Sequence, residues 1–280
     1  NQPVVLNVQN VDGSWVKWKP QNYDGSTGGL TTLREGLRKS MNLISVRMVQ
    51  QDIAPSEQVK RTAQRMGITT DIRAVDALAL GTSEVFPLEI VSAYAAFANQ
   101  GVYSKPFPIT RVEDRYGNVI KEFYPERKEV LSEETAYLMT SLMQTVMDRG
   151  TGGSARWKYK FNRPAAGKTG TTQGWSDAWF VGFTPQIAAG CWFGVDDFRV
   201  PLGPGQDGSI SALPAWARFM KGAHDTLDFP IQKFEKPSGI HDIEICSVTK
   251  KAPVPACPVE KEIFKVGTEP IQKCKVHRTQ

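Results

Sequence analysis

The chain has 280 residues, 40% of them hydrophobic and 22% charged, enough to bury a full core and best read as one large domain with an appendage. No apolar run approaches the roughly 18 residues that a bilayer-crossing helix needs, so a membrane anchor or export signal is expected only outside these residues. The net charge of +5 is diffuse; Lys158-Tyr159-Lys160 and Lys250-Lys251 never join into a basic stripe, and nucleic acid is not an expected partner.

The first thirty residues are punctuated by Asp12-Gly13, Pro20, Asp24-Gly25 and Gly28-Gly29, which predicts an irregular, turn-rich approach. Thr32 and Glu35 form a capping-box pair, with Leu33 and Leu37 one turn apart, and predict a helix from Thr32 toward Lys39. A second helix is expected from Leu43 to Gln51. Ser56 opens a third that ends near Gly67, and Pro87 sits at a favoured first position before Leu88, Val91, Tyr94, Ala95 and Ala98. Asn99-Gln100-Gly101 stops that helix. Ile109 to Phe123, with Gly117-Asn118 between two short alternating segments, reads as a β-hairpin. Ser132, with Glu133 and Glu134 behind it, starts a long helix carrying Leu138, Leu142 and Val146 and closed by Gly150, Gly152 and Gly153.

From Ala165 the period changes. Gly167–Thr172, Ala178–Thr184 and Ile187–Val195 are three strand candidates joined by short turns, expected as antiparallel neighbours. Ser211 to Lys221 predicts a helix packed on that sheet through Leu213, Trp216, Ala217 and Met220. Trp175, Trp179, Trp192 and Trp216 are all assigned to the core. The sum is an α+β domain spanning 1–236, followed by a cysteine-containing tail, 237–280.

Four cysteines are present. Cys191 lies in an apolar run and reads as a buried small hydrophobe. Cys246, Cys257 and Cys274 fall in the Pro- and Lys-rich tail, which has little core and suits a disulfide staple. Cys257–Cys274 is the favoured bridge, because Val259–Val266 and Ile271–Val276 beside them could pair as strands. Only His277 lies close to a cysteine and the paired-ligand pattern of a zinc ribbon is absent, so no metal and no cofactor are expected.

Lys168-Thr169-Gly170, continued by Thr171 and Thr172, is the most informative short stretch. A cation and hydroxyls along one strand edge, with a glycine permitting close approach, suit an extended substrate bearing a carboxylate. A phosphate-binding loop would require glycine at position 162, where the chain has Asn162. The residues that follow, Asp177 to Pro185 and Gly190 to Asp196, resemble the block after the Lys-Thr-Gly motif of class A (bifunctional) penicillin-binding proteins. Ser40-Met41-Asn42 is similar to that family's Ser-x-Asn motif, entered through Trp18–Gly25 and Leu33–Leu37. Ala79-Leu80-Gly81 through Pro87–Glu89 to Phe97–Gly101 is similar to its linking segment. The likeness runs from about Trp18 to Lys221, with the blocks in the family's order.

This resemblance implies the penicillin-binding, β-lactamase-like transpeptidase fold, an antiparallel sheet flanked by helices and here incomplete on its N-terminal side. It implies a D,D-transpeptidase that cross-links peptidoglycan stem peptides and is acylated by β-lactams, on the periplasmic face of the bacterial inner membrane. By the same resemblance Ser40 relays a proton, Asn42 binds the donor peptide backbone and Lys168 holds the positive field. Thr169, Gly170 and Thr171 form the substrate strand, with the Thr171 N–H as one oxyanion donor. The family's nucleophile, a serine one helical turn before a lysine, is expected outside the chain. Ser14-Trp15-Val16-Lys17 is bracketed by Gly13 and Pro20, with no room for a helix, and Ser247-Val248-Thr249-Lys250 follows the Lys-Thr-Gly strand; both are set aside. The rival readings are a carboxypeptidase of the same fold and a non-catalytic scaffolding module.

Overall fold

The computed structural model describes residues 1–9, 12–197 and 199–277. The chain opens on a hairpin, β1 (Leu6–Gln9) and β2 (Trp15–Trp18), paired antiparallel with Leu6 opposite Trp18. This corrects the expectation of an irregular start. Asp12-Gly13 acts as a hairpin turn, and the buried Leu6 joins Val4, Leu43 and Val46 in a small core. Next come α1 (Leu33–Arg38), α2 (Asn42–Gln50), α3 (Ser56–Arg65) and α4 (Pro87–Ala98). Thr32 caps α1 through its hydroxyl, which accepts from the Glu35 N–H at 3.2 Å.

Two short antiparallel pairs follow. They are β3 (Val102–Ser104) with β6 (Arg127–Glu129), and the expected hairpin of β4 (Arg111–Glu113) with β5 (Val119–Glu122). The long α5 (Glu133–Arg149), capped by Ser132, and the short α6 (Ser154–Trp157) lead into the sheet. That sheet is β7 (Ala166–Thr171), β8 (Asp177–Phe183) and β9 (Ala188–Gly194), antiparallel in the order β7-β8-β9. A π-helical turn at Gly208–Ala212 runs into α7 (Leu213–Thr226), which is longer than its sequence pattern suggested.

The sheet lies between helical layers. Side chains alternate along β8, and Phe180 turns to one face, where its ring is 4.8 Å from that of Trp216 on α7. Phe183 turns to the other, stacking on Phe97 and meeting Tyr94 edge-to-face, both on α4. Removing each such side chain from water contributes about 1.5–3 kcal/mol, so the helices and the sheet hold each other in place. His224 is part of this interior, satisfied by Thr184 at 3.0 Å and the Met220 carbonyl at 2.8 Å.

The tryptophan assignment holds for Trp216 alone. Trp175 and Trp179 are half-buried and Trp192 is 43% exposed, its indole N–H donating to Asp177 at 2.8 Å. Trp179 and Trp192 face each other across β8 and β9, their ring centroids 6.4 Å apart. Cys191 is likewise half-buried, packed against the α7 side of the core.

The tail forms a further hairpin, β10 (Ile240–Cys246) with β11 (Val259–Lys265), Ile240 opposite Lys265. The expected partner of β11, Ile271–Val276, instead contributes only an isolated bridge between Lys273 and Ala252. Ile243 and Ile245 alternate with polar residues in β10 and make it the better partner. All four cysteines are free, so the expected Cys257–Cys274 bond is not formed.

Candidate functional site

Ser40 sits in the turn between α1 and α2. Its backbone occupies the left-handed region at φ 55°, costly for a residue with a Cβ, and the neighbouring Met41 N–H bonds back to the Gly36 carbonyl at 2.8 Å. The turn is braced from α5: Arg38 donates to the Arg149 carbonyl at 2.7 Å, and the Thr151 N–H donates to the Arg38 carbonyl at 3.3 Å. Gly150 permits this approach, since a Cβ there would lie 2.6 Å from the Arg38 carbonyl oxygen.

β7 faces this turn as an edge strand. Lys168 donates to Ser40 Oγ at 2.7 Å, to the Thr169 carbonyl at 3.0 Å and to Thr169 Oγ1 at 3.4 Å. An ammonium has three hydrogens, and these three acceptors engage all of them. With Ser40 Oγ accepting from Lys168, the serine's own proton is directed to a different partner. Burial brings the Lys168 pKa down to about 8. Among the described residues, no carboxylate lies within ion-pair distance of it.

The rest of β7 is equally fixed. Thr169 Oγ1 and Thr151 Oγ1 share a hydrogen bond at 2.9 Å, and Thr171 Oγ1 accepts from the Gly208 N–H at 3.1 Å. The Thr172 N–H donates to the Asp177 carbonyl at 3.1 Å, so alternation along the ladder turns the N–H groups of Thr169 and Thr171 away from β8, toward the open edge. Gly170 brings the strand close to β8; a Cβ there would meet Trp179 Cβ at 3.2 Å.

Asn42 does not join this cluster. At the start of α2 its side-chain amide donates to the Gln21 carbonyl at 2.8 Å, tying down the lead-in segment. Ser14 lies in the β1–β2 turn with its hydroxyl donating to Asp12 at 2.6 Å, while Lys17 is on β2. They do not share a helical turn. Ser247 donates to the Pro258 carbonyl at 3.2 Å and Lys250 pairs with Glu260 at 2.6 Å, both within the tail. Thr151 and Gly208 were missed by the sequence reading. In the run Arg149-Gly150-Thr151-Gly152-Gly153 the glycines end a helix, and so many of them also signal a close backbone approach.

The chain resembles known proteins over nearly its whole length. The penicillin binding protein transpeptidase domain matches residues 6–196, and the penicillin-binding protein 1A C-terminal domain matches residues 236–279. Penicillin-binding protein 1A of Aquifex aeolicus is 37% identical over 257 residues, covering 92% of this chain and 34% of that protein. Penicillin-binding protein 2D of Bacillus subtilis is 32% identical over 271 residues, covering 94% and 38%. The chain thus spans about a third of the length of the relatives it matches. The crystal structure of penicillin-binding protein 1A from Haemophilus influenzae superposes with a TM-score of 0.87 at 28% identity, covering 98% of this chain and 45% of that one. The PonA1 protein of Mycobacterium tuberculosis in complex with penicillin V shares the fold, with a TM-score of 0.64 at 24% identity and coverage of 90% and 68%.

Proposed function

This chain belongs to the penicillin-binding-protein transpeptidase family, and from that premise we propose that its Ser40–Lys168 site serves a serine-type D,D-transpeptidase that cross-links peptidoglycan stem peptides. The observation that carries the reading is the 2.7 Å bond from Lys168 to Ser40 at the open edge of β7.

An extended donor peptide lies along that edge as an added strand, meeting the outward N–H groups of Thr169 and Thr171. Its terminal carboxylate is held by the Thr169 and Thr171 hydroxyls beside the Lys168 charge. A serine from a helix outside these 280 residues attacks the donor carbonyl, and the Thr171 N–H stabilises the oxyanion as one of two donors. Ser40, held as an acceptor by Lys168, relays the proton given up by the attacking serine to the leaving amine as the C–N bond breaks and a serine ester forms. An acceptor amine then displaces the serine, whose oxygen takes back a proton from that amine. Asn42 reaches the donor backbone only if it exchanges its Gln21 contact for the peptide. β-Lactams enter the same groove as acylating mimics. On this reading the reaction takes place on the periplasmic face of the inner membrane. Among the described residues no helix is long and apolar enough to cross a membrane.

The test is acylation of the full-length protein by a labelled β-lactam, followed by peptide mapping. The adduct is expected on a serine of a Ser-x-x-Lys helix outside residues 1–280. An adduct at Ser14, or none at all with the protein folded, overturns the assignment. Product analysis with a stem-peptide donor and an amine acceptor separates cross-linking from simple hydrolysis.

A further inference from the structure

The tail brings four groups together that the transpeptidase reading does not use. Cys246, Cys257, Cys274 and His277 offer three Sγ atoms and one imidazole nitrogen, all within 4.8 Å of one another. His277 Nδ1 lies 3.5 Å from the Cys246 sulfur, 3.3 Å from that of Cys257 and 3.3 Å from that of Cys274. One ring nitrogen carries at most one hydrogen, so near-equal spacing to three sulfurs is not the geometry of a single hydrogen bond. It is the geometry of four ligands around a shared centre. Zinc bonds of about 2.3 Å to sulfur and 2.0–2.1 Å to nitrogen, at tetrahedral angles, place S and N about 3.5–3.6 Å apart and two sulfurs about 3.8 Å apart.

The backbone presents each ligand from a fixed turn. Cys246 ends β10 and its sulfur accepts from the Thr249 N–H at 3.5 Å; Cys257, just before β11, accepts from the Val254 N–H at 3.3 Å. Such N–H groups stabilise sulfur as thiolate, the form that binds metal. The Cys274 N–H is tied to the Ala252 carbonyl at 2.8 Å, fixing the last segment beside the hairpin turn. Cys246 and Cys274 are buried while Cys257 and His277 are half-buried, and the four protein ligands by themselves complete the coordination of a structural site. A disulfide would use two of these groups and leave a third thiol and an imidazole in the same cluster without a task.

We propose that Cys246, Cys257, Cys274 and His277 bind one structural Zn²⁺, which pins the chain after β11 to the β10–β11 hairpin. Binding releases the three thiol protons to solvent and adds its binding free energy to the folding of the tail. The full-length protein, purified under reducing conditions with zinc supplied and then freed of loose metal on a desalting column, is expected to carry about one zinc per chain by elemental mass spectrometry. Replacement by Co²⁺ should give the intense sulfur-to-metal charge-transfer band and the visible d–d bands of a tetrahedral thiolate site. Cys274→Ser and His277→Ala should lose the metal, and Cys191→Ser should keep it. A metal-free wild-type protein that shows no cobalt spectrum overturns the proposal even if the cysteine variants fail to fold. So does a non-reduced digest of protein from its native compartment in which two of the three tail cysteines are linked.

Discussion

Arg34 on α1 and Glu262 on β11, 228 positions apart, form a two-pronged ion pair, with Arg34 Nε donating to Oε2 at 2.8 Å. The same guanidinium donates to the Ser141 carbonyl at 2.9 Å and to Thr145 Oγ1 at 2.8 Å on α5. One side chain therefore joins the tail hairpin, α5 and α1, the helix that leads into the Ser40 turn. The side chains are only 13% and 18% exposed, so the pair is little screened by solvent.

Glu262→Ala leaves Arg34 its α5 acceptors but removes its counter-charge. A charged hydrogen bond lost at such a site costs about 1.5–3 kcal/mol, and the melting temperature should fall by roughly 3–10 °C. Burial raises the Glu262 pKa, but the Arg34 hydrogen bonds outweigh it and hold the carboxyl below its ordinary value. The pair's contribution is then present above the unfolded carboxyl pKa, near 4.3, and is lost as pH falls through the lower folded value. Melting curves between pH 3 and pH 7 should show wild type and Glu262→Ala converging at the acid end. A constant gap would contradict this.

A second prediction contrasts two glycines. A Cβ on Gly208 would lie 2.2 Å from the Trp179 carbonyl oxygen and 2.7 Å from that of Gly170, whereas one on Gly222 in α7 meets nothing within 4 Å. Backbone atoms in a sheet cannot step aside, so Gly208→Ala should displace β7 and lower β-lactam acylation of the full-length protein at least tenfold. Gly222→Ala should raise stability by about 0.5–1 kcal/mol with acylation unchanged. Equal behaviour of the two variants would show that the packing over Gly170 does not position the site.

Much of this was legible in the sequence, for local reasons. The α1 cap, the stop at Asn99-Gln100-Gly101 and the three sheet strands are written in residues close to one another, so pattern suffices. The meeting of Ser40 with Lys168 was not written locally; the expectation came from motif resemblance, and the bond depends on α5 bracing the Ser40 turn against β7. The opening hairpin is hard to see in the sequence because Asp12-Gly13 reads equally as a break, although Leu6 and Val8 alternate on one side of it and Val16 and Trp18 on the other. The cysteine cluster was hidden for a different reason. Only Cys274 and His277 are close in sequence; Cys246 and Cys257 reach them through the register of β10 and β11, which spacing does not reveal.

A third prediction separates the Ser40 hydroxyl from the Ser40 backbone. At φ 55° glycine is at ease and alanine is strained, so Ser40→Gly should melt higher than Ser40→Ala by an amount equivalent to about 1 kcal/mol. Both lack the acceptor of the Lys168 bond and should lose acylation rate to the same degree. If Ser40→Gly retains near wild-type acylation, the hydroxyl is no relay.

The last prediction concerns pH. Burial lowers the Lys168 pKa to about 8, so the ammonium that donates to Ser40 is nearly complete at pH 7 and largely lost by pH 9. Between the folded value and the ordinary lysine value near 10.4, the unfolded chain holds the proton that the folded chain has released. Over that window this group alone makes stability rise with pH, and below pH 8 the burial cost of the charge is carried in full. Activity should move the opposite way, because the positive field and the Ser40 contact both need the ammonium. The second-order acylation rate of the full-length protein should therefore fall through an apparent pKa near 8. Lys168→Ala should be slower by about 10²–10³ at pH 7 and should lack that descending limb. A wild-type profile flat from pH 7 to pH 9.5, with the protein still folded, would mean that the lysine does not work as a cation in this site.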